Sequence, residues 1–374
     1  MTRPPPSVPV CVVGAGVAGL AAAHALGAVG VAAVVVDKSR GVGGRAATRW
    51  RDVPDATGAA VRWRVDHGAQ VFTPEPGSRA ARLVRDVLPP GDLVELPGAV
   101  WPFDDDGALR PDRERADGPP RLAFRAGFSA LGRALAAATP GLHLRPNTAA
   151  TRLVHERGGW TVEATGPDGP VHLGPFRAVV LTPPGPQAGA LVGASTFEAA
   201  VRDPLADALG AATYRSQFSV VLAFAEPVAL PGGVYALVNA PEPGGAERSP
   251  HPVAWLAVES DKPGRAPDGM TLLVAQMSGP WTFAHYDEPP EAVVAHAVSC
   301  IEGLVGALPP WLWTDTQRWR YSLPDGRVDA AALGPAEALG LFVAGDAVAG
   351  QGRVHLAIES GLDAAARVAA LLGP

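Results

Sequence analysis

The stretch Val10-Cys11-Val12-Val13-Gly14-Ala15-Gly16-Val17-Ala18-Gly19, followed by an alanine-rich run, then Ala32 to Val36 and Asp37, decides the fold. Apolar run, glycine turn, helix former, apolar run and acid is the order of a βαβ unit that holds the ADP half of a dinucleotide. The three glycines serve different ends. Gly14 permits the tight turn, Gly16 lets the backbone approach a pyrophosphate, and Gly19 lets helix pack on strand. The helix beginning near Gly16 points unpaired N–H groups and its positive dipole end at the phosphates. Asp37 is placed to accept from two ribose hydroxyls, and its charge disfavours a ribose 2′-phosphate. Val8 to Val36 contains no Asp, Glu, Lys or Arg, so hydropathy alone would read it as a signal peptide or a membrane span. The three spaced glycines argue for a nucleotide-binding turn instead.

Composition sets the frame around this unit. A chain of 374 residues exceeds what one core usually serves, so two domains are expected. Net charge is −6 and no stripe of Lys or Arg tracks a phosphate backbone, which excludes nucleic acid as a partner. Two cysteines, Cys11 and Cys300, have no metal-site or disulfide spacing and suit a reducing cytoplasm. No membrane association is expected, and the residues from Met1 to Pro9 read as a short disordered lead.

Beyond Asp37, the loop Lys38-Ser39-Arg40-Gly41-Val42-Gly43-Gly44-Arg45 reads as a second phosphate contact. Asp66-His67-Gly68-Ala69-Gln70 reads as a turn entering a strand. A helix is predicted over Phe128 to Ala138, strands over Leu142 to Leu144, Ala150 to Glu156 and Trp160 to Ala164, and a buried parallel strand over Ala178 to Leu181. Phe218 to Phe224, Val253 to Val258 and Thr271 to Met277 alternate, as in an antiparallel sheet with one covered face, broken by the proline-rich loop Pro241 to Pro252. Leu341 to Ala344 reads as a strand, Gly345-Asp346 as a turn, and Val354 to Leu372 as an amphipathic helix with Glu359 and Asp363 as solvated charges. The expected class is α/β: a discontinuous nucleotide-binding Rossmann domain (1–75, 126–183 and 326–374) with a second, smaller α+β substrate domain (76–125 and 184–325) of antiparallel sheet plus helices.

One ligand longer than a single βαβ unit can hold explains the fingerprint, the Gly44-Arg45 loop, the Asp66–Gln70 turn and Gly345-Asp346 together, and FAD fits best. Arg45 is expected to bridge two phosphate oxygens, Gly345 and Asp346 to hold ribityl and pyrophosphate groups, and the helix start near Val354 to aim positive potential at the flavin.

These pieces resemble the flavin amine oxidase superfamily, with its glutathione-reductase-type fold, and within it the renalase-like proteins of bacteria. The resemblance lies at Asp37 to Arg45, Asp66 to Gln70, Trp255 with Lys262-Pro263-Gly264-Arg265, Arg318-Trp319-Arg320-Tyr321, and Gly345-Asp346 with Ser360-Gly361. It implies non-covalent FAD held by Gly14, Ala15, Gly16, Gly19, Asp37, Lys38, Gly44, Arg45, Gln70, Val154, Gly345, Asp346 and Val354. It also implies an oxidase that returns 2- or 6-dihydro isomers of NAD(P) to NAD(P)+ and passes electrons to dioxygen, making hydrogen peroxide. On the substrate side Lys262, Trp255 and Tyr321 are the candidates, and Trp101, Trp281 and Trp319 offer further aromatic faces. Two alternatives stay open: oxidation of a small amine, and a binding protein of this fold without catalysis. Lys262 reads either as a flavin-side lysine or as a surface lysine in a Pro-Gly turn, and His67 either as a flavin contact or as a backbone cap. The four tyrosines show no evident pair.

Overall fold

A computed structural model describes residues 8–54, 60–96, 98–111, 120–240 and 250–373. The expected N-terminal lead and most of the Pro241–Pro252 loop lie outside the described residues. Val10–Val13 sits at the centre of a five-stranded parallel sheet, between Ala178–Leu181 and Ala33–Val36, with Leu341–Val343 and Leu142–Arg145 at the edges. All four residues of the central strand are buried, which is why its sequence runs apolar instead of alternating. On one face lie the helices Val17–Ala28, Arg79–Val87, Ser129–Ala137 and Val354–Leu372, sharing a core with Val10, Val12, Val35 and Val180. The other face packs Cys11, Val13, Val179 and Leu181 against a three-stranded antiparallel sheet (Ala149–Glu156, Gly159–Gly166, Gly169–Phe176) and two helices, Gly185–Gly193 and Ala199–Gly210.

A six-stranded sheet forms the second lobe, in the order Trp313–Pro324, Tyr214–Phe224, Thr271–Met277, Val253–Val258, Ala236–Asn239, Val100–Phe103. The three strands expected from alternation are neighbours and antiparallel, as predicted. One face buries Val220, Leu222, Leu256 and Leu273 beneath the helix Pro290–Val305; the other covers Trp63 and Val65 of the hairpin Thr48–Pro54/Ala60–Asp66.

Two boundaries differ from the sequence division. The helix Arg79–Val87 and the pair at 185–210 bury their apolar faces on the nucleotide-side cores, although the division assigns 76–125 and 184–325 to the substrate side. Proline punctuation marks where the chain turns and says nothing of which lobe receives the next helix. Glu359 and Asp363 are not idle surface charges either: Arg79 meets them at 2.8 and 2.7 Å, and Glu359 also accepts from the Ala80 amide at 2.7 Å, tying two helices together.

Candidate active site

The site grows from the glycine turn. Gly14 has φ of +107°, a conformation L side chains rarely adopt, and its amide donates to the Val36 carbonyl. A Cβ at Gly19 would stand 2.0 Å from the Gly14 oxygen, so only glycine lets the helix start this close to the strand. Gly16 is the residue before the helix and would meet nothing within 4 Å. Open space at a helix N-terminus with free amides is the cradle a pyrophosphate requires.

Asp37 ties this turn to the next loop. One carboxylate oxygen accepts from the Ala15 amide and the other from the Ser39 amide, both at 2.7 Å. A carboxylate has about four lone-pair sites, so capacity remains for ribose hydroxyls. The Gly43 amide donates to the Ala15 carbonyl at 2.8 Å, and a Cβ on Gly44 would come within 3.3 Å of the Gly16 Cα, so the two glycine loops close on each other. Lys38 stands exposed beside them. Gly345 donates its amide to the Ser360 hydroxyl, and Gly361 packs so tightly on the first helix that a Cβ would lie 2.1 Å from the Ala18 oxygen. Val354 opens the last helix, as expected. Val154 lies on the three-stranded sheet, where it pairs with Thr161 and bridges Thr196.

Arg45 is tied to the far end of the chain. Its two terminal nitrogens hold the Asp346 carboxylate at 2.5 and 2.7 Å, and one also donates to the carbonyls of Tyr321 and Ser322. A carboxylate thus occupies the fork, while about a third of the Arg45 side chain, 31%, stays exposed. Tyr214 donates to the same Asp346, and burial together with that charge pushes its phenol up to about 12.

Lys262 is fully buried, which rules out a surface lysine in a turn. It meets Glu259 at 2.6 Å and Asp66 at 3.3 Å, while Arg265 meets Asp66 at 2.6 Å and Glu259 at 3.0 Å. All four side chains have zero exposure, and two acids balance two bases. Burial alone would lower the Lys262 pKa, but Glu259, Tyr235 and Asp66 raise it above its ordinary value. Burial opposes ionisation of Asp66 too, yet Lys262 and Arg265 hold it below the usual carboxylate range. The quartet braces the two lobes, because Asp66 also accepts from Thr48 and the Phe128 amide on the nucleotide side. Glu259 receives the Asp66 amide at 2.9 Å in turn.

Directly after Asp66, His67 stacks on Trp319 with ring centroids 5.3 Å apart and planes 10° from parallel, and the Trp319 indole donates to the His67 carbonyl at 2.9 Å. Gln276 donates to the Gly68 carbonyl at 2.7 Å. His67 Nδ1 and Gln70 Oε1 are buried and find no partner among the described residues, so neither backbone capping nor internal packing accounts for them. Burial, reinforced by the Arg49 charge, lowers His67 to about 4 and keeps it neutral. Tyr214 and Tyr321 form an edge-to-face pair at 5.7 Å, correcting the expectation of unpaired tyrosines. Trp255 lies farther along the sheet, edge-on to Tyr235 at 6.2 Å. Trp101 closes over Gly232, and Trp281 joins the second-lobe core.

The open glycine turn, the Asp37 carboxylate and the two orphaned polar atoms beyond Arg45 fit a dinucleotide with a polar aromatic head. Residues 100–369 match a family described as flavin containing amine oxidoreductase, and residues 12–87 match an NAD(P)-binding Rossmann-like domain. Similar solved structures include a putative protoporphyrinogen oxidase from Exiguobacterium sp. 255-15, with 15% identity and TM-score 0.74 over 97% of this chain and 99% of that one. Cyclohexylamine oxidase from Brevibacterium oxydans IH-35A has 15% identity and TM-score 0.68, covering 98% of this chain and 100% of its own. A fatty acid isomerase from P. acnes has 15% identity and TM-score 0.66, covering 96% and 98%. At this distance they establish the fold and leave the substrate open. No helix among the described residues is long and apolar enough to cross a membrane. The cradle and the family model agree on the cofactor, FAD: the chain belongs to the flavin containing amine oxidoreductase family and is an FAD-dependent oxidoreductase.

Proposed function

We propose that the protein oxidises 2- or 6-dihydro isomers of NAD(P), releasing NAD(P)+, with dioxygen as the final acceptor. The observation that carries this reading is the buried quartet: one of the chain's two lysines, Lys38, lies beside Asp37 at the ribose end, and the other, Lys262, is locked between Glu259 and Asp66. No lysine is left to manage protons at the reacting end. Bound FAD supplies the acceptor for a hydride and passes the electron pair to dioxygen, which with protons becomes hydrogen peroxide. A dihydropyridine releases hydride to become an aromatic cation, so the protein has chiefly to bind, orient and exclude water. Neutral His67, stacked on Trp319, offers a flat aromatic wall for that ring without a competing positive charge. The Gln70 and Gln276 amide nitrogens donate to the Asp66 and Gly68 carbonyls on either side of His67, and the unpartnered Gln70 Oε1 is left to accept from a carboxamide.

Oxidation of a small amine is the second reading, favoured by the Tyr214–Tyr321 pair, whose aromatic edges suit an amine's alkyl groups. Anaerobic mixing with isomerised NADH, ordinary NADH and a panel of amines, followed through the flavin band near about 450 nm, separates the two. Bleaching by the isomerised preparation supports the dihydronicotinamide reading, and bleaching by amines alone overturns it.

A further inference from the structure

Away from the flavin cradle, three side chains converge on one point at the surface of the second lobe. His285 caps the short helix Gly279–Ala284, Glu288 follows in the turn, and His296 lies on the helix Pro290–Val305. His285 Nδ1 is 3.0 Å from one Glu288 oxygen, His296 Nδ1 is 3.1 Å from the other, and the two Nδ1 atoms are 3.1 Å apart. As Nδ1–H tautomers the two imidazoles donate to the Glu288 carboxylate; with those protons displaced, the same three groups turn lone pairs toward one point. Tetrahedral zinc with bonds of about 2.0–2.2 Å separates neighbouring ligand atoms by roughly 3.3–3.5 Å. One ligand atom from each residue lies within 4.8 Å of the other two, so small rotations of the two rings and of the carboxylate bring them onto one face of a coordination tetrahedron.

We propose that His285, Glu288 and His296 form a binding site for a divalent transition-metal ion of the zinc class, with water as the fourth ligand. Imidazole and carboxylate donors favour such an ion over calcium or magnesium, which prefer all-oxygen shells. The donors are accessible, with His285, Glu288 and His296 side chains 22%, 33% and 51% exposed. The His285 ring is held in place by Trp281, whose ring centroid lies 4.2 Å away. Fixed orientation of a ligating histidine is what a metal site requires beyond the donors themselves. The metal is a clip: it pins the turn at 285–288 to the helix behind it and takes no part in hydride transfer.

The test uses tag-free, FAD-loaded protein stripped with a chelator and titrated with zinc chloride by calorimetry. One zinc per chain is expected, with a rise in the unfolding midpoint as bound metal stabilises the folded state. His296→Ala and Glu288→Gln should each weaken zinc binding by at least about tenfold, while flavin content and substrate-dependent bleaching stay unchanged. His296 is the most exposed of the three, so its truncation leaves the fold intact, and the unaltered flavin spectrum verifies this. Absence of zinc uptake, or uptake that both substitutions leave untouched, overturns the proposal.

Discussion

Arg45 and Asp346 stand 301 residues apart in sequence and meet through two parallel hydrogen bonds, at 2.5 and 2.7 Å, between the loop after the second strand and the start of the short helix Asp346–Ala349 that precedes the last helix. The Asp346 side chain is almost wholly buried and that of Arg45 about two-thirds so, with exposures of 5% and 31%. The pair fixes where the glycine loop lies relative to Gly345. Asp346→Ala leaves the guanidinium without its main partner and should destabilise the fold by about 1–3 kcal/mol, discounted for Arg45's access to water. Asp346→Asn, which keeps one acceptor, should lose less. Thermal unfolding together with flavin content per chain checks both; an unaltered midpoint and full flavin in the alanine variant would contradict the clamp.

Gly16 and Gly19 should fail in different ways. Alanine at Gly16 meets no protein atom within 4 Å, so the apoprotein should keep its unfolding midpoint while FAD binding weakens more than about tenfold, the methyl group occupying pyrophosphate space. Alanine at Gly19 collides with the Gly14 carbonyl at 2.0 Å and should destabilise apoprotein and holoprotein alike. Equal FAD affinity in Gly16→Ala and wild type, by fluorescence titration, would place the pyrophosphate elsewhere.

Asp37→Ala should weaken FAD binding by about 1–3 kcal/mol, since ribose hydroxyls lose a charged acceptor. Its ties to Ala15 and Ser39 go with it, so Asp37→Asn, retaining one acceptor oxygen, should fall between. Apoprotein titration with FAD gives the three constants, and an unchanged value for alanine would show that the carboxylate serves only the loop.

His67 makes stability depend on acid. Its pKa is about 4 in the folded protein, against about 6.5 in an unfolded chain. Between those values the unfolded chain binds more protons, so stability rises with pH across that window and falls as pH drops. The effect is on the order of 3 kcal/mol over the whole window. Denaturant melts from about pH 4.5 to 7 should show a gentler slope in His67→Asn, while a slope of equal size in both would assign the acid sensitivity to other groups.

Lys262→Met strips one cation from a buried quartet and leaves Asp66 and Glu259 to Arg265 alone. Removing one partner of a buried ion cluster costs about 3–5 kcal/mol. Molecules that still fold and hold FAD should be bleached by reductant at close to the wild-type rate. Loss of the bleaching step in folded holoprotein would instead make Lys262 a participant in the chemistry.

The glycine fingerprint, Asp37 and the last helix were legible because each rests on local constraints: positive φ, close backbone approach, an apolar face of helical period. The hairpin Thr48–Pro54/Ala60–Asp66 and the edge strand Trp313–Pro324 carry arginines and acids that blur alternation, and only pairing reveals them. Lys262 and Arg265 stood out within their Pro-Gly motif, but their burial depends on Asp66, nearly two hundred residues earlier, so no short pattern announces it. Tyr214 and Tyr321 meet because their strands pair, with Tyr214 opposite Pro324. His67 and Trp319 illustrate the same limit: each was visible alone, and the stack between them belongs to the tertiary structure.

A single-turnover titration probes the central claim most directly. One equivalent of 6-dihydro-NAD, added without oxygen, should bleach one flavin and yield one NAD+, and air should then restore the colour with one hydrogen peroxide formed. A flavin that stays yellow with this reductant but bleaches with an amine, yielding the corresponding carbonyl compound, would contradict the account.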